Sequence, residues 1–171
     1  MSQLSFVVAG MSDEGEGNFA PEVLRSIAET RVFSGGKRHH ELVRNLLPEG
    51  YTWIDITVPL SAVFDEYRRY NEPIFIFASG DPLFFGYTTT LMREFPGLVK
   101  KTYPYFNSLQ MLCHALTLPY HDMRVTSLVG RPWLDFDKCM IERTRKLGVL
   151  TDKRNTPRVI AQRMLDYGYD K

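Results

Sequence analysis

Several short segments of the chain combine glycine with polar or charged side chains, a pattern that suits close approach of a ligand to the backbone. The first is Ser79-Gly80-Asp81-Pro82, followed directly by Leu83 and Phe84. Glycine exposes the main chain, aspartate offers acceptor oxygens, and proline fixes the turn into the next element. The same residues are typical of a plain turn between a strand and a helix, with Asp81 as the helix cap. The segment alone leaves both interpretations open.

The second segment, Gly35-Gly36-Lys37-Arg38-His39-His40, places a glycine pair before a cationic helix start. Backbone amides together with Lys37 and Arg38 could hold a carboxylate or a phosphate there. A basic first turn exposed to solvent is the alternative interpretation. The Gly-x-x-x-x-Gly-Lys-Ser/Thr pattern of the P-loop is absent from the sequence, so this segment does not predict a nucleotide phosphate cradle.

Two further candidate sites come later in the chain. Asn107 and Ser108 follow a strand-like run and could bind a ligand through side chains or amides, although as plain helix caps they need no ligand. Ser127-Leu128-Val129-Gly130-Arg131 and Leu150-Thr151-Asp152 each follow an apolar run. Their apolar residues could wall a pocket and their backbones could bind an adenine, or they could be ordinary strand exits.

Composition excludes several classes of partner. The 171 residues include 21 Lys and Arg against 20 Asp and Glu, which leaves a formal charge of +1, and the hydrophobic fraction of 44% is ordinary for a globular domain. A chain with this balance has no basic footprint for duplex nucleic acid or for an anionic membrane. A small-molecule ligand is therefore the better expectation.

Redox, metal and hydrolase chemistry are not indicated. Cys113 and Cys139 have no Cys-x-x-Cys spacing, and His114 and His121 are isolated, so we expect reduced thiols and no metal site. A Gly-x-Ser-x-Gly elbow is also missing. Residues 1–10 lack the features of a signal peptide and no apolar run is long enough to span a bilayer, which predicts a cytoplasmic protein.

The elements that must position these segments alternate between strand and helix. Residues 73–78 (PIFIFA) form a continuous apolar run, which predicts a central parallel strand covered on both faces. The alternation predicts an α/β fold with a mostly parallel sheet. Turn-rich residues 117–124 predict a boundary between an N-terminal α/β lobe, residues 1–116, and a C-terminal lobe, residues 117–171. With only two clear strands the second lobe is expected to be incomplete at its C-terminal end.

Taken in order, these segments resemble the motif set of the tetrapyrrole (corrin/porphyrin) methylase family, over nearly the whole chain. More narrowly, they resemble the CbiE-type methyltransferases, which methylate C5 of precorrin-6Y or cobalt-precorrin-7 in cobalamin synthesis. The motifs that carry the resemblance are Gly-Gly-Lys-Arg-His at 35–39, Ser-Gly-Asp-Pro-Leu-Phe-Phe-Gly at 79–86, Pro-x-x-x-Ser-Leu-Gln at 104–110, Ser-Leu-x-Gly-Arg at 127–131, and Gly-Val-Leu-Thr-Asp with Asn-Thr-Pro at 148–157.

The resemblance implies a two-lobed α/β homodimer with S-adenosylmethionine in the cleft between lobes, released as S-adenosylhomocysteine, and a precorrin macrocycle above it. It assigns the donor to Gly80, Asp81, Pro82, Leu83, Phe84, Asn107, Ser108, Leu128, Gly130, Leu150 and Thr151. It makes Lys37, Arg38, His39 and Arg131 candidates for binding the carboxylate arms of the substrate. No catalytic residue is assigned, because aligning two reactants suffices for direct methyl transfer. A separate unit for C15 methylation and decarboxylation is an expected partner.

The sequence departs from the family pattern at three places. Residues 10–17 are acidic and lack the usual proline, Asn107-Ser108 replaces a Ser-Ser pair, and Val129 stands where histidine is common. Two alternatives therefore stay open. One is a methyltransferase of the same fold with a different acceptor, and the other is a truncated donor-binding module without turnover.

Overall fold

A computed structural model describes residues 3–12 and 19–170. The predicted loop over residues 11–18 falls mostly outside these ranges. The elements are β1 (Ser5–Met11), α1 (Pro21–Ala28), β2 (Val32–Gly35), α2 (Lys37–Val43), a 3-10 turn (Arg44–Leu46), β3 (Thr52–Asp55), α3 (Leu60–Tyr67), β4 (Pro73–Ser79), α4 (Tyr87–Glu94), β5 (Val99–Tyr103), α5 (Ser108–Ala115), β6 (Arg124–Ser127), α6 (Leu134–Ile141), β7 (Leu147–Leu150) and α7 (Pro157–Asp166). The predicted α/β class is confirmed.

The chain divides into two compact units, Met1–Asn107 (unit 1) and Ser108–Lys171 (unit 2). Unit 1 holds a five-stranded sheet in the order β3-β2-β4-β1-β5, in which every neighbouring pair is parallel. The central pair runs in register from Ser5 opposite Pro73 to Met11 opposite Ser79. Because the strands are parallel, their carboxyl ends all meet at one edge of the sheet.

The central strand β4 is buried on both faces, as its continuous apolar run predicts. Ile74 and Ile76 pack into one apolar cluster with residues of α3 and α4. Phe75 and Phe77 point to the other face and pack into a second cluster with residues of α1 and α2. Two helical layers therefore hold the sheet rigidly and fix where its strand exits lie.

A chain of buried hydroxyl groups crosses the core of unit 1. The Ser34 hydroxyl donates to the carbonyl oxygen of Ile54 at 2.7 Å and lies 2.6 Å from the Tyr67 hydroxyl, so Tyr67 must donate to Ser34. Tyr87 in turn donates to Tyr67 at 3.3 Å. Burial raises the pKa of Tyr67 and of Tyr87, which keeps both phenols protonated as donors. The chain thus ties β2 and β3 to α3 and α4.

Unit 2 is built on a two-stranded parallel sheet, β6 and β7, and its core is an apolar cluster formed with α6 and α7. A bidentate ion pair links the two helices, with Arg163 Nε donating to Asp137 Oδ1 at 2.6 Å. The Arg163 hydrogen bonds hold the pKa of Asp137 below its usual range. The Arg163 guanidinium also lies 4.8 Å from the centre of the Trp133 ring.

Helix α5 belongs to the second compact unit, whereas the predicted boundary lies after it, at residue 116. The physical reason is packing against β7. A Cβ atom built on Gly148 would stand 2.8 Å from Leu109 and 2.9 Å from the sulfur of Met123, so a glycine in the strand lets α5 lie close. The turn-rich segment 117–124 therefore connects elements within unit 2.

The sequence predicts a first strand over residues 4–9 and a helix over residues 84–95. Several element ends differ from the predictions, and two of them, in these elements, bear on the site. Helix α4 begins at Tyr87, whereas the apolar pattern predicts a start at Phe84. Phe85 has a φ of 54°, a left-handed conformation that cannot belong to a right-handed helix, so the loop is three residues longer. Strand β1 continues through Gly10 to Met11, because Met11 still pairs with Ser79 of β4.

Both cysteines, Cys113 and Cys139, are buried free thiols. Within residues 3–12 and 19–170, no cluster of His, Cys, Asp and Glu side chains has the make-up of a metal site. No helix in these same ranges is long and apolar enough to span a bilayer.

Replacing Tyr67 by Phe tests the hydroxyl chain. We expect the free energy of unfolding to fall by about 1–2 kcal/mol, since the change leaves the buried Ser34 and Tyr87 hydroxyls each short of a partner. Equilibrium urea unfolding measures the difference. The matched control is Tyr70→Phe at a half-buried phenol of the same region, which should change stability by less than about 0.5 kcal/mol. Equal effects of the two substitutions would contradict the role of the chain.

Candidate functional site

The topology of unit 1 places a crevice at the carboxyl ends of β1 and β4. These two strands are neighbours, but β1 connects to β2 on the far side of β4, whereas β4 connects to β5 on the far side of β1. The two connections therefore leave in opposite directions. In open α/β sheets, ligands bind outside the strand ends at such a reversal.

Gly10 sets how closely the segments at this crevice approach one another. A Cβ atom built on Gly10 would stand 2.1 Å from the Gly80 carbonyl oxygen, 2.8 Å from Tyr105 Cβ and 2.9 Å from Pro82 Cδ. No other residue type fits, because the nearest atom belongs to the backbone. The Gly80 amide also donates to the Met11 carbonyl at 2.8 Å. The exits of β1, β4 and β5 thus converge on one point.

The loop after β4 turns sharply at Gly80, whose φ of +65° favours glycine. Asp81 shapes the turn that follows: its Oδ1 accepts from the Leu83 amide at 2.9 Å, and its carbonyl accepts from the Phe84 amide at 3.1 Å. Asp81 is therefore the cap of its own turn and not of α4, which starts later. A Cβ on Gly80 would lie 3.5 Å from Asn107 Cα, so the Asn107 segment borders the same loop.

Apolar side chains surround this convergence. Leu83, Phe85 and Phe106, which lie on the loops that converge here, are exposed by 56%, 41% and 53%. Asn107 is buried beneath them, and the Phe84 ring packs edge-on against Phe85. Unit 1 thus offers main-chain groups and flat apolar surface at the same edge, which suits an uncharged flat ligand better than a phosphate.

In the basic segment at the start of α2, Lys37 and Arg38 differ from His39 in what they contact. Lys37 and Arg38 are exposed, and within the described residues no carboxylate lies in ion-pair distance of either. His39 instead bridges two backbone segments: its Nδ1 accepts from the Gly36 amide at 3.2 Å and its Nε2 lies 2.9 Å from Ser79 Oγ. It fastens α2 to the end of β4.

His40, the last of the four cationic or proton-carrying residues, packs inward. Its ring stacks on Trp53 at 4.2 Å between centroids, and its Nε2 bonds the Tyr51 hydroxyl at 2.7 Å. The positive charge available to a ligand at this segment is therefore that of Lys37 and Arg38.

In unit 2, the exits of β6 and β7 are joined by one carboxylate. Asp152 Oδ1 accepts from the amides of Arg154 and Asn155 at 2.8 and 2.7 Å, while Oδ2 accepts from the Gly130 amide at 3.1 Å. These backbone hydrogen bonds, that of Asn155 first, hold the pKa of Asp152 below its usual range. Asn155 adds a bond from its side-chain amide to the Leu128 carbonyl at 2.8 Å.

The predicted donor residues of unit 2 lie at these exits but differ in what they expose. Leu128 is fully buried, and its amide donates to the Leu150 carbonyl at 2.9 Å. Gly130, Thr151 and Arg131 are exposed, Leu150 is half-buried, and Ser108 is exposed at the first position of α5. The Leu128 side chain thus belongs to the core beneath the β6 exit, and its exposed neighbours form the surface that a ligand could reach.

The structure brings the predicted residues together in two groups. Gly80, Asp81, Pro82 and Asn107 lie within one loop cluster of unit 1, and Leu128, Gly130 and Leu150 lie within one of unit 2. Sequence reasoning missed the close approach at Gly10, the bridging carboxylate of Asp152 and the amide of Asn155. The available signals were a glycine at a strand end and an Asp-x-x-Asn spacing after a strand.

Replacing Gly10 by Ala tests the convergence. We expect the free energy of unfolding to fall by at least about 2 kcal/mol, because the new Cβ overlaps the Gly80 carbonyl and the two strand exits must separate. Thermal and urea unfolding measure the loss. The matched control is Gly36→Ala, where the nearest atom to the new Cβ is at 3.7 Å, an ordinary contact. Full stability of Gly10→Ala would contradict the geometry.

Comparison with known proteins identifies relatives along nearly the whole chain, although no family model matches it. The chain is 31% identical to a decarboxylating precorrin-6Y C(5,15)-methyltransferase of Sinorhizobium sp. over 95% of its own length and 39% of that protein. It is 32% identical to a cobalt-precorrin-7 C(5)-methyltransferase of Salmonella typhimurium over 94% of its length and 78% of that protein. The chain therefore spans less than half of the first relative and about three quarters of the second.

A solved structure shows the same fold. The precorrin-6Y methylase CbiE of Archaeoglobus fulgidus superposes with a TM-score of 0.64 at 17% identity, over 90% of this chain and 75% of that one. At 17% identity this structural similarity shows a shared fold only. The sequence relatives, above 30% identity, establish the relationship itself: the chain belongs to the tetrapyrrole methylase family, in the group of the precorrin-6Y and cobalt-precorrin-7 C5-methyltransferases.

Proposed function

We propose that the protein transfers a methyl group from S-adenosylmethionine to C5 of a precorrin macrocycle in cobalamin biosynthesis. The observation that carries the proposal is the match, at 31% and 32% identity, to enzymes named for methylation at C5. One of those names also includes C15 and decarboxylation, but the chain spans 39% of that protein, so the proposal is confined to C5.

The geometry of unit 1 supports a donor of this kind. S-adenosylmethionine carries an adenosine, a sulfonium and an amino acid but no phosphate, so main-chain groups and apolar surface suit it. The glycine contact between Gly10 and Gly80 brings backbone to the crevice, and Leu83 and Phe106 flank it with apolar surface. In unit 2, Gly130 and Thr151 offer exposed positions at the strand exits.

Direct methyl transfer requires the protein mainly to align the methyl donor with the acceptor carbon. S-adenosylmethionine would supply an electrophilic methyl group. The electron pair of C5 would form the new carbon–carbon bond as the sulfur leaves as a neutral thioether, and the methylated macrocycle would then release a proton to solvent. The loops that converge at Gly80 hold one reactant in place, and the apolar side chains around them exclude water. No nucleophilic side chain is needed for such a displacement, which agrees with the absence of an activated Ser or Cys motif in the sequence.

Lys37 and Arg38 are the proposed partners of the carboxylate arms of the macrocycle. Both are exposed cations at the end of the sheet where the crevice opens, and Arg131 is a further exposed candidate in unit 2. His39 was predicted as a third such residue. Because both of its ring nitrogens contact other parts of unit 1, its proposed contribution is to hold Lys37 and Arg38 beside the β4 exit.

The remaining features implied by the resemblance stay predictions. These are a homodimer, a cytoplasmic location, and a partner unit that performs C15 methylation and decarboxylation. The two-lobe division near residue 116 also stays a prediction, although the division into compact units falls after Asn107.

Titration of S-adenosylhomocysteine, followed by calorimetry, tests the donor. We expect saturable binding with one site per chain, while ATP, which carries the same adenosine with a triphosphate, should not bind at equal concentration. Incubation with methyl-labelled donor and a precorrin then tests the acceptor, with label expected at C5 by carbon NMR. Folded protein that binds no S-adenosylhomocysteine contradicts the donor, and label at another carbon contradicts the acceptor.

The double variant Lys37→Ala with Arg38→Ala tests the substrate contacts. We expect KM for the precorrin to rise about tenfold, the loss of two partly solvated ion pairs, while affinity for S-adenosylhomocysteine is unchanged. Steady-state kinetics and calorimetry separate the two effects. Arg69→Ala with Lys100→Ala removes the same charge from the turn after α3, where Arg69 pairs with Glu66, and from β5, and it should leave KM unaltered. A loss of donor affinity in the first variant would overturn the assignment.

A further inference from the structure

The two oxygens of the Asp152 carboxylate accept hydrogen bonds from different parts of the chain. Oδ1 closes the turn in which Asp152 itself lies, since both of its donors, the amides of Arg154 and Asn155, follow directly in sequence. Oδ2 reaches away from that turn to the Gly130 amide at the exit of β6, a residue 22 positions earlier in the chain. The side-chain amide of Asn155 also approaches Oδ2, at 3.4 Å.

The local turn alone does not need a carboxylate. Asn and Ser close the same kind of turn with a single acceptor oxygen. A second acceptor is required only because Oδ2 faces two N–H donors, from Gly130 and from Asn155. The lowered pKa of Asp152 agrees with a charged carboxylate surrounded by donors. The requirement for aspartate therefore comes from the connection between the two strand exits.

Gly130 is held by this connection and by the turn in which the Arg131 amide donates to the Leu128 carbonyl at 3.5 Å. It has a φ of +60°, has no heavy atom within 4 Å of the position a Cβ would occupy, and is exposed, so little packing holds it. Leu128, two residues earlier, is tied separately, since its amide donates to the Leu150 carbonyl and its carbonyl accepts from the Asn155 side-chain amide. The Asp152 and Asn155 side chains thus fix the main chain on both sides of Val129.

We propose that Asp152 is a positioning residue, whose Oδ2 holds the Gly130 segment at the β6 exit in the arrangement that binds the methyl donor. The proposal rests on the proposed function, because the donor residues of unit 2 are those that the family resemblance assigns. It adds to that function a residue that touches no ligand itself and acts through Gly130.

The variant Asp152→Asn removes only the contact between the side chain at position 152 and the Gly130 amide. Its Oδ1 can still close the turn to Arg154 and Asn155, but the amide nitrogen in place of Oδ2 turns a donor toward the Gly130 amide. We expect KM for S-adenosylmethionine and the dissociation constant of S-adenosylhomocysteine to rise at least about tenfold, as loop displacement alone can produce. With saturating donor, kcat should stay within about twofold, since alignment in the fully bound enzyme is recovered by the excess of donor.

Asp137→Asn is the matched control, because it is the same substitution in the same unit and breaks the Arg163 ion pair between α6 and α7. It should lower the melting temperature at least as much as Asp152→Asn but leave KM for the donor unchanged. A merely structural Asp152 predicts that the two variants behave alike. If Asp152→Asn does not fold, Asp152→Ser applies the same test, since a serine hydroxyl closes the turn but is too short to reach Gly130.

The outcomes separate this proposal from the proposed function. Wild-type protein that binds no S-adenosylhomocysteine contradicts the methyltransferase assignment itself. Wild-type binding with unchanged donor affinity in Asp152→Asn, or in Asp152→Ser where that variant is used, overturns the positioning role alone. A rise in donor KM that Asp137→Asn does not share supports it.

Discussion

The carbonyl oxygen of Gly80 occupies the place where a side chain on Gly10 would have to begin. A Cβ on Gly10 would stand 2.1 Å from that oxygen, so the two central strands approach at their carboxyl ends as closely as backbone allows. Pro82 and Tyr105 pack against the same spot, which draws the exit of β5 into contact as well. The position of every other group at this edge follows from a contact that only glycine permits.

That constraint is effective because the strands behind it cannot shift. The central strand alternates its side chains between two apolar clusters, one containing Ile74 and Ile76 and the other Phe75 and Phe77. A displacement of β4 relative to β1 would disturb both layers of helices at once, and close-packed interiors resist such movement. The buried hydrogen-bonded hydroxyl groups of Ser34 and Tyr67 make this packing more specific, because each hydrogen bond requires a particular partner at a particular position. The rigid sheet thus fixes where each of its loops begins.

The elements could be predicted from the sequence because their signals are local. The alternation of strands and helices follows local patterns of apolar and turn residues, and the PIFIFA run alone indicated the central strand. Features that depend on contacts between distant segments could not be found this way. The left-handed φ of Phe85 moves the start of α4 to a later residue. The burial of Leu128 depends on helices α6 and α7, and the position of the His39 ring depends on Ser79, 40 residues away. Local periodicity carries no information on any of these.

The electrostatics of α2 connect the fold to its proposed substrate. The amino end of a helix carries partial positive charge, so Lys37 and Arg38 in the first turn are each disfavoured there by about 0.3–1 kcal/mol. Within the described residues, no acidic side chain pairs with either of them to offset that cost. His39 nonetheless fastens this turn to the end of β4. A polycarboxylate would relieve the repulsion that the free protein contains, so its binding draws on electrostatic energy already stored at the helix start. A protein with a net charge of +1 can in this way attract an anionic macrocycle at one place without becoming basic as a whole.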